Sequence, residues 1–210
     1  MLSDAQMKLA SDLLEAIRFF NQKGWSPATS TNYSIRSQNP TEFIISRSGV
    51  DKSKFSVDDF ILINGEGDVL APFNRPGIKS SAETEIHTYL YKTFPDINCV
   101  LHTHSVLGTV LSYVLASEKQ LIFDGFEIQK GLEGNATHQL QTLLPIVANS
   151  QKMSDIIENL EPFLAKGPNI HGFLIAGHGL YTWGKDLATT KRHIETFEFL
   201  FECYEKMRRL

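Results

Sequence analysis

The sequence predicts an α/β fold of three layers (α/β/α), in which a central, mainly antiparallel sheet is flanked by helices. Short β-prone runs and helical patterns are interspersed along all 210 residues. The early β-prone runs follow one another through turns rather than through crossover helices, which favours antiparallel pairing over a doubly wound parallel sheet. Apolar residues make up 42% of the chain and charged residues 21%, which is the balance of a globular protein.

The first half of the chain holds two predicted helices and the hairpin strands. Apolar residues recur at helical spacing over 4–23, where Ser3 or Asp4 can serve as N-cap and Gly24 as a stop. Runs rich in β-branched and aromatic residues predict strands at 33–35, 43–45, 60–63 and 69–70. The loop at 71–81 contains two prolines and a glycine, and the helical pattern at 83–94 ends before Pro95.

The second half of the chain alternates helices and strands. Apolar residues at helical spacing predict three helices, at 107–116, 150–166 and 187–210. Short apolar runs predict four strands, at 97–104, 121–123, 143–147 and 173–175. The pattern contains no internal repeat, low-complexity tract or linker, so we expect residues 1–210 to form a single domain.

The charge balance and the cysteine count limit the class of protein. Lys and Arg number 20 against 24 Asp and Glu, and the net charge of -4 argues against sequence-independent nucleic-acid binding. No apolar run approaches the roughly 20 residues of a membrane helix, and the first residues lack the pattern of a signal peptide. Cys99 and Cys203 are too few for a disulfide framework. We therefore expect a cytoplasmic protein with no nucleic-acid or membrane partner.

The strongest local signal is the pair His102 and His104 at the end of the strand predicted at 97–104. Side chains two residues apart in a strand point to the same face, so both imidazoles can reach one cation. By the same alternation Cys99 points to the opposite face and is expected in the core. The alternative is that both histidines simply lie at a polar strand end.

A third histidine, His178, lies between Gly177 and Gly179, directly after the predicted strand at 173–175. The glycines permit a tight turn and let a bulky partner approach the imidazole closely. Together with His102 and His104, it would leave one coordination position open, as in a catalytic metal site. The alternative is an ordinary glycine-flanked turn.

Two carboxylates are candidates for proton transfer beside such a metal. Glu83 lies at the start of a predicted helix, where the helix dipole favours its charged form. Glu127 has apolar neighbours, and alternation into the site would desolvate it and raise its pKa to a useful acid–base value. The alternatives are a simple helix-terminal carboxylate for Glu83 and an exposed residue on an edge strand for Glu127.

Polar loops supply the last element of the predicted site. Residues 46–49, the loop around Asn32 and residues 79–81 offer hydroxyl, amide and cationic groups that can surround a phosphate. Each of these segments alone is also an ordinary turn. Among the other histidines, His87 and His193 are interpreted as helix-packing or surface residues.

Several segments together resemble a known family over nearly the whole chain. They are residues 30–36, 45–49, 81–83 with His87, 102–104 and 177–179. In these segments the chain is similar to the class II (zinc-dependent) aldolase and adducin family. The resemblance implies the class II aldolase fold and one Zn²⁺ per subunit, held by His102, His104 and His178.

The resemblance also implies a substrate class and residue roles. The implied substrate is a small-molecule sugar phosphate, and the implied phosphate contacts are Asn32, Ser48, Gly49, Ser81 and Lys130. Residues 127–131 and 191–202 are most similar to a branch of the family that removes water from its substrate. In that reaction Glu127 is the implied base, and Glu83 is either a fourth metal ligand or a second proton carrier.

Three other functions fit parts of the pattern. An aldolase or epimerase acting on another sugar phosphate would have a nearly identical site. A non-catalytic adducin-like interaction domain would keep the fold without the metal ligands, and the presence of all three histidines argues against it. A cupin-type barrel also uses two histidines two residues apart, but the long helical patterns argue against an all-β protein.

A homotetramer is expected from two arguments. Members of the resembled family are ring-like tetramers with sites at subunit boundaries. The last predicted helix also carries an apolar surface wider than one stripe, made of Ile194, Phe197, Phe199, Leu200, Phe201 and Tyr204. The alternative is a helix that is deeply buried in its own subunit.

Overall fold

The structure, a computed structural model, describes residues 1–165, 167 and 169–209. Within these residues a mixed sheet of eight strands lies between two layers of helices. The strands are β1 (Asn32–Arg36), β2 (Glu42–Ser46), β3 (Phe60–Asn64), β4 (Cys99–Thr103), β5 (Gln120–Phe123), β6 (Thr142–Val147), β7 (Gly172–Ile175) and β8 (Gly179–Gly184). The helices are α1 (Asp4–Gln22), α2 (Thr84–Thr93), α3 (Val106–Val114), α4 (Met153–Leu164) and α5 (Leu187–Met207).

The strand order is β3-β2-β1-β4-β8-β7-β6-β5, and every neighbouring pair is antiparallel except β6 and β7. The predicted α/β fold with a mainly antiparallel sheet is therefore confirmed. The parallel pair follows from the connection through α4, because parallel neighbours need a crossover rather than a hairpin.

Two apolar clusters cover the two faces of the sheet. Helices α1, α3 and α5 pack on one face, and α2 and α4 pack on the other. The alternation of β2 is typical: Ile44 packs under the first set of helices, while Phe43 and Ile45 pack under the second. Cys99 is fully buried on the α1, α3 and α5 face, as the strand alternation predicts.

One strand, β8, is not predicted by the sequence pattern. It begins and ends with glycine and pairs with both β7 and β4, so it lies near the middle of the sheet. Its register aligns Tyr181 with His102 of β4, which in turn is opposite Asn32 of β1. These three side chains therefore form one row across the sheet.

Most element boundaries agree with the sequence pattern to within a few residues. Helix α1 begins with the predicted Ser3 cap, whose side chain forms a capping box with Gln6. The run at 69–70 is not a strand of its own but makes a single bridge, between Val69 and Ile63. The predicted helix ends at Lys166 and Leu210 lie outside the described residues.

The wide apolar surface of α5 packs mainly against other elements of the same chain. Ile194, Phe197, Leu200 and Phe201 are buried, and Tyr204 packs against the same cluster. Only Phe199 of the predicted set is exposed. The helix lies against β4, β8 and α3, so intrachain packing explains its composition and it gives no independent support for an oligomer.

Among the described residues, no helix combines the length and apolar character that crossing a membrane requires. The longest, α5, has 21 residues, but charged side chains are spread along it.

Candidate active site

Three imidazoles converge at one end of the central strands. His102 is the fourth residue of β4, and His104 lies just beyond the strand, where its backbone N–H donates to the Trp25 carbonyl (2.8 Å). His178 lies in the turn between β7 and β8. The Nε2 atom of His102 is 2.7 Å from that of His104 and 3.4 Å from that of His178. The spacing of the histidines thus brings their nitrogens together as the sequence predicts.

The donor set fits a divalent metal ion. His102 Nδ1 donates to the Leu180 carbonyl (3.0 Å), which leaves the lone pair on Nε2, facing the other two imidazoles. Burial lowers the pKa of His102 well below its ordinary value and that of His104 to about 4, so both imidazoles are neutral near pH 7. Neutral imidazoles are the form that binds a metal. The three residues can therefore hold one ion, with ligand atoms within 4.8 Å of one another.

Gly179 is required by this convergence. A Cβ at this position would overlap the Thr103 carbonyl and lie 3.0 Å from His102 Cε1. The preceding Gly177 has a φ of +65°, which a residue with a side chain rarely adopts. The two glycines therefore allow β8 to start directly against the histidines, as expected from the sequence around His178.

Glu83 lies beside the imidazoles, at the N-cap of α2. Its Oε1 is 3.0 Å from His178 Nε2, and its Oε2 accepts hydrogen bonds from the Tyr181 hydroxyl (2.9 Å) and the Asn32 amide. Burial alone would raise the pKa of the Glu83 carboxyl. The facing imidazoles of His102 and His178 and the Tyr181 hydrogen bond outweigh burial and hold this pKa well below its ordinary value.

A chain of buried hydrogen bonds fixes the orientation of Asn32. Because the Glu83 carboxylate only accepts, the Asn32 amide nitrogen must donate to it, and Asn32 Oδ1 accepts from His87 Nε2. His87 Nδ1 is then the acceptor from the Ser34 hydroxyl (2.7 Å), which accepts from Tyr91 (2.9 Å). His87 is therefore a buried link to the site and more than a helix-packing residue. Burial lowers its pKa to about 3.

A small polar cavity of about 160 Å³ opens on one side of Glu83 and His104. Four of the five predicted phosphate contacts line it, namely Asn32, Ser48, Gly49 and Ser81. Gly49 has a φ of +78°, which allows the sharp turn of this loop. The cavity is lined mainly by hydroxyl, amide and cationic groups, the chemistry that binds an anion.

Lys52 is the cation that the sequence analysis missed in this cavity. Its side chain is buried, and its Nζ donates to the Val50 carbonyl (3.2 Å). Burial lowers the pKa of Lys52 to about 8, and the carboxylates of Asp59 and Asp51 only partly oppose this shift. The other cation lining the cavity, Arg47, is bound to Asp59 through Nε (2.9 Å) and Nη2 (2.6 Å).

A larger cavity of about 570 Å³ opens on the other side of the same residues. It shares Ser81, Glu83 and His104 with the polar cavity. Its wall includes Val106 and Val110 of α3 and Met153 at the start of α4. The histidine cluster therefore lies where two cavities of different chemistry meet.

Glu127 and Lys130 are not brought to the histidines within this chain. They lie on the short 3₁₀ helix Glu127–Gly131, which is not a strand, so the expected alternation into the site does not occur. The Glu127 side chain is 69% exposed and pairs with Lys130 and with His138 Nδ1 (3.3 Å). The hydrogen bond from Lys130 lowers the pKa of Glu127, opposite to the expected rise.

Comparison with curated proteins finds close relatives over nearly the full length. A methylthioribulose-1-phosphate dehydratase from Picosynechococcus sp. is 48% identical over 191 residues, which cover 91% of this chain and 88% of the relative. A protein of the same name from Pseudomonas syringae pv. tomato is 45% identical over 201 residues, 96% of each chain.

Comparison with solved structures shows the same fold at low sequence identity. An L-fuculose 1-phosphate aldolase has a TM-score of 0.78 and 16% identity, covering 100% of this chain and 89% of that one. The L-fuculose-1-phosphate aldolase from Thermus thermophilus has a TM-score of 0.72 and 20% identity, covering 96% and 95%. The family described as "Class II Aldolase and Adducin N-terminal domain" matches residues 11–204. This protein therefore belongs to the class II aldolase and adducin family.

Proposed function

We propose that this protein is a lyase that dehydrates 5-methylthioribulose 1-phosphate to 5-methylthio-2,3-dioxopentyl phosphate, a step of L-methionine salvage. Relatives that are 45–48% identical over most of the chain are named for this dehydratase activity. The observation that carries the proposal is the cluster of His102, His104 and His178 beside Glu83, between an anion-binding cavity and a larger one.

The reaction needs three things from the site. The proton on carbon 3 must become acidic, a base must remove it, and the hydroxyl of carbon 4 must leave as water; the resulting enol then becomes the ketone. We assign Zn²⁺, one per subunit, to the three histidines, where it supplies Lewis-acid polarisation of the substrate carbonyl. The chain itself supplies binding, orientation and proton transfer.

The polar cavity is the proposed phosphate site. Asn32, Ser48, Gly49 and Ser81 surround it, and Lys52 adds the positive charge. When a phosphate binds here, Lys52 would donate a charge-assisted hydrogen bond to it in place of its present contact with a backbone carbonyl. This anchor would hold carbons 2 and 3 of the substrate beside the histidines.

Glu83 is the proposed proton carrier within the subunit, because among the described residues it is the carboxylate that touches the histidine cluster. Tyr181 and Asn32 hold it by hydrogen bonds, which fix the direction in which it accepts a proton. We retain Glu127 as the base at carbon 3, with Lys130 beside it. Glu127 is exposed on its own chain and lies away from the histidines of that chain. This role therefore requires that Glu127 of one subunit lie beside the histidine cluster of a neighbouring subunit.

The proposed assembly is a cytoplasmic homotetramer of single-domain subunits spanning residues 1–210. Helix α3 carries an exposed apolar row, Val106, Val110, Tyr113 and Val114, that starts at the larger cavity. An apolar row of this kind favours contact with a second copy. Both cysteines are free, as in proteins of a reducing compartment.

Incubation with 5-methylthioribulose 1-phosphate, followed by mass spectrometry, tests the activity. We expect a product lighter than the substrate by one water, and no product from the His102→Ala variant. Carbon–carbon cleavage fragments would instead identify an aldolase, and a product of unchanged mass would identify an epimerase.

A further inference from the structure

The two cavities beside the histidines differ in charge. The polar cavity contains Arg47 and Lys52, whereas no Lys or Arg is found among the described residues that line the larger cavity. Glu83 lines both cavities, so its negative charge does not distinguish them, and the difference in charge comes from the two cations of the polar cavity. A substrate with one phosphate is therefore bound in one direction only, with its phosphate in the polar cavity.

This direction decides where the opposite end of the substrate lies. With carbon 1 at the polar cavity and carbons 2 and 3 at the histidines, carbon 5 and its substituent must extend into the larger cavity. A thioether is a weak hydrogen-bond acceptor and gains most from contact with apolar side chains. Val106 and Val110 are such side chains, and they are 75% and 50% exposed in the free chain.

We propose that the larger cavity is a subsite for the thioether end of the substrate, and that Val110 of α3 determines specificity there. This inference rests on the proposed function. Val110 lies one helical turn beyond Val106, on the face of α3 that borders the histidine cluster. Met153, at the first turn of α4, forms part of the facing wall with a side chain that adapts to the shape of its ligand.

The test compares two substrates in one variant. The kcat/KM for 5-methylthioribulose 1-phosphate is divided by the kcat/KM for ribulose 1-phosphate, which carries a hydroxyl in place of the methylthio group. We expect Val110→Ser to lower this ratio by about 3- to 10-fold, because it removes apolar contacts that only the thioether uses. Val110 is half exposed, so the variant is expected to fold.

Ile122→Ser is the matched control, since Ile122 is 47% exposed on β5 and does not line the larger cavity. Its ratio should equal that of the wild type. A ratio that is unchanged in Val110→Ser would contradict the proposal that the larger cavity binds the thioether end. This includes the case in which the substitution loosens subunit contacts, because both activities would then fall equally. Failure of the wild type to convert the methylthio substrate would instead contradict the proposed function.

Discussion

At the scale of single residues, the site depends on side chains that never touch the substrate. His87 is fully buried and orients Asn32, whose amide nitrogen then faces Glu83. Removing His87 frees the Asn32 amide to rotate, so Glu83 loses a fixed donor. We predict that His87→Phe lowers kcat by roughly 10- to 100-fold, the usual cost of losing such a support.

The measurement is kcat together with the metal content of the same sample. Metal content should stay near that of the wild type, because His87 does not contact the three histidines. His87→Gln, which keeps one donor and one acceptor, should recover part of the lost activity. Wild-type kcat in His87→Phe would contradict the role assigned to this residue.

Lys52 gives a residue-scale prediction for phosphate binding. We predict that Lys52→Met raises KM by about 10- to 100-fold, since a hydrogen bond to a charged group contributes roughly 1.5–3 kcal/mol. Lys54→Met is the matched control, because Lys54 lies on the same short 3₁₀ helix but is exposed. Equal effects of the two substitutions on KM would argue against a phosphate contact.

The pH dependence of KM tests the same lysine. Its pKa is lowered from 10.5 to about 8 by burial, so the free enzyme loses this positive charge as the pH rises through about 8. Phosphate binding favours the charged form, and affinity should therefore fall above pH 8. In Lys52→Met this dependence should disappear, and its persistence would assign the titration to another group.

At the scale of elements, α5 places a buried acid beneath the site. Glu198 is 5% exposed, and burial raises the pKa of its carboxyl from 4.5 to about 8, a shift that Ser105 at the N-cap of α3 only partly opposes. A carboxyl whose pKa is higher in the folded than in the unfolded protein stabilises the folded state. This contribution is fully present below the unfolded pKa of 4.5. That contribution is lost as the pH rises through about 8.

We therefore predict that Glu198→Gln leaves stability at pH 4.5 nearly unchanged and increases it at pH 8. The expected gain in the free energy of unfolding at pH 8 is on the order of 2–4 kcal/mol, because glutamine has no charge to bury. Urea denaturation at the two pH values measures it. A difference between variant and wild type that is independent of pH would contradict the buried charge.

The elements also show how far the sequence could predict this protein. Periodicity predicted the five helices and most strands, since burial on one or both faces of an element leaves a local pattern. Strand β8 escaped because it begins and ends with glycine, a residue that is rare in strands, although all six of its residues are buried. The convergence of His102 and His104 was also predictable from a local pattern, because residues two apart in a strand point to the same face of the sheet.

Contacts set by register were beyond prediction from local sequence. Tyr181 reaches Glu83 only because β8 pairs with β4 in a particular register, and Lys52 faces the polar cavity only because its 3₁₀ helix folds over it. The expected alternation of Glu127 into the site of its own chain does not occur, because a 3₁₀ helix replaces the expected strand. Contacts between side chains that are distant in the sequence depend on tertiary packing, and a single sequence does not contain enough information to predict them.

At the scale of the whole molecule, we expect a tetramer in which Glu127 of one subunit acts beside the histidines of another. Light scattering should give a mass of about 94 kDa, four times the 23.6 kDa of the chain. His102→Ala and Glu127→Gln should each be inactive alone. Co-expressed, they should recover about a quarter of wild-type activity, since one site in four then combines an intact cluster with an intact Glu127.

Two results would contradict this assembly. A mass of 23.6 kDa would exclude a shared site. Mixed oligomers as inactive as the two parents would show that Glu127 acts within its own subunit.

The most direct test of the central claim is a metal titration. Protein stripped with a chelator is reloaded with increasing Zn²⁺, and dehydration of 5-methylthioribulose 1-phosphate is measured at each step. If His102, His104 and His178 hold the one metal that the reaction requires, activity will rise linearly and stop at one equivalent per chain. Full activity in the stripped protein would contradict the claim that the reaction requires this metal. A rise in activity with Zn²⁺ that is the same in His178→Ala as in the wild type would contradict the claim that the three histidines hold it.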